Sequence, residues 1–176
     1  MPLPRVKDNM AASKLLETAK KFIGQFATFD TQTLDNILSE NYTHHFAPES
    51  LSSLGPYTKK EFLDHHRRML TIMSGFPVMA KEYIQSESRN QVVVWATSQA
   101  IFRDEVKDDT ILEKDWMYEG EYMFILSMDE TGEKIVRGVE FLDSKATIDT
   151  LLGLMKRAQE NKEQRVGKGA DIVRYV

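Results

Sequence analysis

Apolar residues recur at three- and four-residue steps through residues 13–29, at Leu15, Leu16, Ala19, Phe22, Ile23 and Phe26, the spacing of an amphipathic helix. Asp30 or Thr31 then caps a short second helix carrying Leu34, Ile37 and Leu38. Residues 42–47 read as extended, and 48–57 as a loop by their Ser, Gly and Pro content. Thr58 with Glu61 forms a capping-box pattern ahead of a third helix, whose stripe is Phe62, His66, Met69, Leu70 and Met73. Gly75, Phe76 and Pro77 end it.

Beyond Pro77 the period drops from helical to two. Residues 78–86 and 91–102 predict strands around the turn 87–90, and 116–128 with 134–142 predict a second hairpin around 129–132. Between the hairpins, 103–114 is a charged excursion longer than a turn requires and is placed to lie over a pocket mouth. Ser144 caps a closing helix with Ile148, Leu151, Leu152 and Met155; from Asn161 the chain reads as a polar, loosely held tail. One domain over 1–160 and a tail over 161–176 follow. Helices segregated from a meander of strands make the class α+β, with the N-terminal helices on the concave face of a curved antiparallel sheet.

Within the second hairpin the alternation carries chemistry. Trp116, Tyr118, Gly120, Tyr122, Phe124 and Leu126 share one face, and Glu119 and Glu121 take the other. The next strand groups Val136, Gly138, Glu140 and Leu142. If the two faces are one surface, a single carboxylate meets two phenols in an apolar cup. Such burial disfavours the charged carboxylate and suits Glu140 to acid/base work, against the alternative that it points outward or pairs with Arg137. Tyr118 and Tyr122, about 13 Å apart along the strand, are placed to line both ends of a pocket and to donate to a developing oxyanion; the plainer reading is core aromatics. Of the adjacent His44 and His45 only one can face inward as a proton partner. His66 follows the apolar stripe and reads as a cavity-wall histidine. Trp116, Trp95, Tyr42, Phe124 and Met69 complete the candidate pocket wall.

Composition narrows the rest. The chain has 176 residues, a net charge of −4 and no cysteine. Mixed charge without a basic stripe speaks against nucleic acid, and the absence of cysteine removes thiol chemistry, thiolate zinc and disulfides, in keeping with a reducing, cytoplasmic setting. No stretch approaches the ~20 apolar residues of a membrane span, and the first residues lack the apolar run of a signal peptide. No HExxH, Walker or dinucleotide pattern stands in the sequence, so the expectation is no metal and no cofactor. Met117, Met123, Ile125, Val139 and Phe141 would make the outer sheet face apolar, which a second copy would cover.

The element order, the YTHHFAP segment ahead of the third helix and GEKIVRGVEFLDS near the end resemble the nuclear-transport-factor-2-like fold, and within it the SnoaL-like group, particularly small fungal members of secondary-metabolite pathways, over residues 12–154. The resemblance implies a cone-shaped sheet, a homodimer formed sheet to sheet, and pocket residues at Tyr118, Tyr122 and Glu140, with a polar partner from Tyr42, His44 or His45. It implies a cofactor-independent isomerase or cyclase acting on a polycyclic or polyketide-like molecule. A dehydratase, a lactone hydrolase or a non-catalytic binding module are the alternatives on the same fold.

Overall fold

The computed structural model describes residues 13–166; the part of the expected tail over 167–176 lies outside them. Helix α1 (Lys14–Gly24) begins where the Ser13 hydroxyl accepts from the Leu16 amide, and buries Leu15, Ala19, Phe22 and Ile23 along one stripe. A 3-10 turn (Gln25–Ala27) leads to α2 (Thr31–Ile37), capped by Asp30. Strand β1 runs from Leu38 to Ala47 and begins directly at the C-cap of α2, so Leu38 is a strand residue rather than the end of a helix. After β2 (Tyr57–Thr58), helix α3 (Lys59–Met69) opens on the expected Thr58–Glu61 capping box.

Helix α3 ends one turn earlier than the apolar stripe suggests. Met73 belongs to a short strand, β3 (Met73–Gly75), which pairs with the end of β5. Its burial comes from the sheet rather than from a helical face. Strands β4 (Val78–Ser86) and β5 (Gln91–Phe102) have the expected bounds. β6 (Tyr118–Met128) starts after a 3-10 turn (Glu113–Trp116), so Trp116 precedes the strand. β7 (Ile135–Leu142) completes the hairpin.

The sheet order is β2-β1-β7-β6-β5-β3, with β4 also on β5. All pairings are antiparallel except β1 with β7, which is parallel. The meander expected from residues 78–142 is therefore extended by β1 into a mixed sheet. That parallel pair sets His44 opposite Gly138 and Phe46 opposite Glu140. The concave face packs on α1 and α3 through Phe22, Phe26, Phe62 and Phe124, with ring centroids 5.6–6.4 Å apart for the pairs that Phe22 makes. Truncating a ring so enclosed costs about 3–5 kcal/mol.

Asp143 caps α4 (Ser144–Ala146), one residue before the expected cap. A π turn (Thr147–Leu151) follows and then α5 (Leu152–Val166). α5 passes through Asn161, where the tail was expected to begin. The 103–114 excursion explains this extension. Arg157 donates to both carboxylate oxygens of Asp108 at 2.7 Å, Asn161 donates to the Val106 carbonyl at 2.9 Å, and Arg165 to the Lys107 carbonyl at 2.6 Å. The excursion thus clasps α5 and contributes no lining residue to the cavity.

Candidate active site

Alternation along β6 and β7 carries over to the folded chain: Tyr118, Gly120, Tyr122 and Phe124 are buried, Glu119 and Glu121 exposed, and Gly138, Glu140 and Leu142 inward. Phe124 stands opposite Glu140, and Tyr122 opposite Leu142. Tyr122 and Glu140 are diagonal neighbours on adjacent strands, a separation of about 7–8 Å between such positions. Both line a cavity of about 100 Å³ between the sheet, α3 and the π turn, together with Phe26, Phe62, His66 and Thr147.

Glu140 is 7% exposed and His44 fully buried. His44 Nε2 lies 3.1 Å from Glu140 Oε2, and His44 Nδ1 lies 2.7 Å from the Tyr42 hydroxyl. The imidazole stacks on Phe62 at 4.0 Å. Glycine at 138 makes room for this: a Cβ there would collide with the Tyr42 hydroxyl and stand 3.0 Å from His44 Nδ1. Burial pushes the Glu140 carboxyl up to about 8. Burial, and then the neighbouring His45, lower His44 to about 3. At neutral pH both are uncharged, and their contact is a hydrogen bond rather than an ion pair. Tyr42 is held well above the usual phenol range by burial and by Glu140.

The two β6 tyrosines converge instead of lining opposite ends of a pocket. Their hydroxyls are 2.7 Å apart, and the Tyr118 hydroxyl also lies 3.3 Å from that of Thr147. Gly120 between them has no side chain, so both rings lean over its backbone; a Cβ there would stand 2.8 Å from Tyr118 Cζ. Only Tyr122 of the pair reaches the cavity. Burial and its Tyr118 partner hold Tyr122 far above the usual phenol range, so it acts as a neutral hydroxyl.

Of the adjacent histidines, His44 is the inward one, and His45 takes the opposite parity. His66 lines the cavity with both nitrogens engaged: Nδ1 donates to the Phe62 carbonyl at 3.0 Å, and Nε2 accepts from Gln25 at 3.2 Å. Burial lowers His66 to about 3 and His65, also on the wall, to about 4. Met69 lines the cavity, whereas Phe124 and Tyr42 stand behind the lining. Trp116 is buried against Phe102 at 5.4 Å, away from the cavity. Trp95 lies on the outer face, under Lys81 at 4.5 Å, and donates to Glu121 at 2.6 Å; parity along β5 sends it there. Sequence reasoning did not single out Thr147, Phe76 or Phe46, which come from a helix start, a strand connection and a strand end whose facing no period reveals, nor His65, which sits mid-helix in α3 beside the apolar stripe. Among the described residues no group of three or more ligating side chains could hold a metal ion.

A curved mixed sheet closed over helices, with a carboxylic acid and a phenol on its inner wall, is the SnoaL-like form of the nuclear-transport-factor-2-like fold, and this chain has that fold. It is 28% identical over 131 residues to the austinoid biosynthesis cluster protein H of Aspergillus calidoustus, which spans 74% of this chain and 84% of that relative. Among solved structures it is similar to AusH from Aspergillus nidulans, at 26% identity and a TM-score of 0.62, covering 80% of this chain and 88% of that one. BvnE pinacolase from Penicillium brevicompactum shares the fold at 20% identity and a TM-score of 0.69, covering 84% and 96%. No protein-family model matches the chain.

Proposed function

We propose that this protein is a cofactor-independent acid/base isomerase or cyclase acting on a polycyclic or polyketide-like small molecule of secondary metabolism. The observation that carries the reading is the buried chain Tyr42–His44–Glu140, ending on the cavity wall. Similarity to the fungal relatives supports the setting.

Glu140 is the proton carrier. It enters the reaction protonated, gives its proton to a substrate oxygen or double bond, and takes one back from a neighbouring carbon, so the acid is restored and the mass of the substrate is unchanged. In the tautomer with His44 Nε2 protonated, that N–H donates to the emerging carboxylate while Nδ1 accepts from Tyr42. The Tyr122 hydroxyl, backed by Tyr118 and Thr147, donates to oxygen charge as it develops. The apolar walls exclude water and strengthen each of these bonds. A positioned acid/base of this kind contributes about 10²–10⁴-fold to rate.

The reading includes a homodimer. Met117, Met123 and Phe141 are exposed at 62%, 44% and 50% on the outer face, and a second copy would cover them. Among the described residues no helix is long and apolar enough to cross a membrane, and we place the protein in the cytoplasm.

Deleting the protein from its producing host and comparing metabolites by mass spectrometry tests the reading. An isomer of equal mass accumulating in place of the product supports it. A difference of one water would transfer the same residues to dehydration or hydrolysis, and an unchanged profile would leave a binding module.

A further inference from the structure

We infer that the cavity takes a ligand uncharged over the part it buries: a carbon framework carrying a carbonyl, hydroxyl or ether oxygen at one end, without a carboxylate or ammonium. This rests on the reading of the cavity as a small-molecule site. Its walls are rings and aliphatic chains, chiefly Phe26, Phe29, Phe62, Phe76, Met69 and Met155. The polar groups are Glu140, Tyr122 and Thr147, from β7, β6 and the π turn, with the imidazoles of His65 and His66 from α3.

Among the described residues no lysine or arginine lines the cavity. A buried anion would therefore meet no permanent cation, and His65 and His66, lowered by burial to about 4 and about 3, are neutral at pH 7. His66 offers it no donor either, because its N–H already serves the Phe62 carbonyl and its other nitrogen accepts from Gln25. An ammonium would find one candidate partner, Glu140, whose proton is held up to about 8 by burial. Pairing would bury two ions among phenylalanines, and the desolvation of both opposes the attraction. A neutral oxygen meets no such penalty: Glu140 and the Tyr122 hydroxyl can both donate to it.

The cavity is also small. At about 100 Å³ it falls below the roughly 150 Å³ that accommodates benzene. Leu152 and Met155 of α5 form part of the wall, so that helix bounds the ligand on one side.

Three probes of one framework separate the possibilities: 2-tetralone, tetralin-2-carboxylate and 2-aminotetralin, titrated calorimetrically at pH 7 into the full chain and into Met155→Trp, which fills the cavity from a partly exposed helix position. The inference expects the ketone to bind the wild-type chain more tightly than either ion by roughly 30-fold, and to lose binding in Met155→Trp. Comparable binding of either ion, lost in the same variant, would overturn the inference and leave the cavity as a ligand site. Binding of none of the three, or binding that Met155→Trp does not affect, would count against the cavity reading itself.

Discussion

His44 and Glu140 meet across the parallel β1–β7 pair, Nε2 to Oε2 at 3.1 Å, one fully buried and the other nearly so. Parallel pairing sets Phe46, not His44, directly opposite Glu140, so the imidazole reaches its partner diagonally over Gly138. Neither group is ionised at neutral pH, which leaves Glu140 a proton to give and His44 a neutral ring to hydrogen-bond the carboxylate that forms.

Stability follows from the same pair. His44 and His66 are lowered from 6.5 to about 3 and His65 to about 4, so the unfolded chain binds more protons below pH 6.5 and stability falls on acidification through that window. Glu140 is raised from 4.5 to about 8; it favours the folded state fully below pH 4.5 and loses that contribution as pH rises toward 8. In the window from 4.5 to 6.5 the three histidines outweigh it. Urea unfolding should therefore show a maximum near pH 7, with a shallow loss of about 0.5 kcal/mol by pH 8, because the last of the histidine contribution offsets much of the Glu140 decline. Glu140→Gln should remove the alkaline decline and leave the acid one. An alkaline decline unchanged in that variant would assign it elsewhere.

Gly138→Ala should cost about 1–3 kcal/mol, because the added methyl overpacks the Tyr42 and His44 contact. Gly24→Ala is the control. Its α-helical site has nothing within 4 Å of a new Cβ, and the change should stabilise by about 0.5–1 kcal/mol. Denaturant midpoints compare the two, and equal effects would mean that the close approach at Gly138 is relieved without consequence.

Removing the clasp with Arg157→Ala deletes the paired bonds to Asp108. The pair is partly exposed, so the global cost should be about 1 kcal/mol or less. The local effect should be larger: α5 amides should exchange faster with solvent, while those of β5 and β6 stay protected. Uniform protection across all three elements would show that apolar packing alone holds the helix.

Phe141→Arg on the outer face should convert a dimer to a monomer in sedimentation, without loss of fold, since the side chain is half exposed in the single chain. A wild-type chain that sediments as a monomer would refute the sheet-to-sheet pairing outright.

Much of this was legible in the sequence because period and parity survive folding. The alternation along β6 and β7 predicted which residues face inward, and Tyr122 and Glu140 stand on the cavity wall as it requires. The bounds of β4 and β5 and the capping box of α3 were equally direct. Non-local facts were not legible. That β1 pairs in parallel with β7 selects His44 over His45 and joins it to Glu140, and no local pattern carries that pairing. Gly120 draws Tyr118 and Tyr122 together where strand rise alone would separate them. Trp95, by residue type, and Trp116, by strand parity, read as pocket wall, but parity along β5 sends the first outward and a 3-10 turn removes the second from the strand. The charged 103–114 segment looked like a pocket cover because charge and length do not reveal what a loop docks on; Arg157 and Asn161, far along the chain, decide it.

The most direct test of the central claim is to replace the protein by Glu140→Gln in its producing host and follow product formation by mass spectrometry, with the melting curve of the purified variant alongside. The account predicts a folded variant, melting at or above the wild-type temperature, that accumulates the unrearranged isomer. A folded variant that still forms the product at the wild-type rate would contradict Glu140 as the proton carrier.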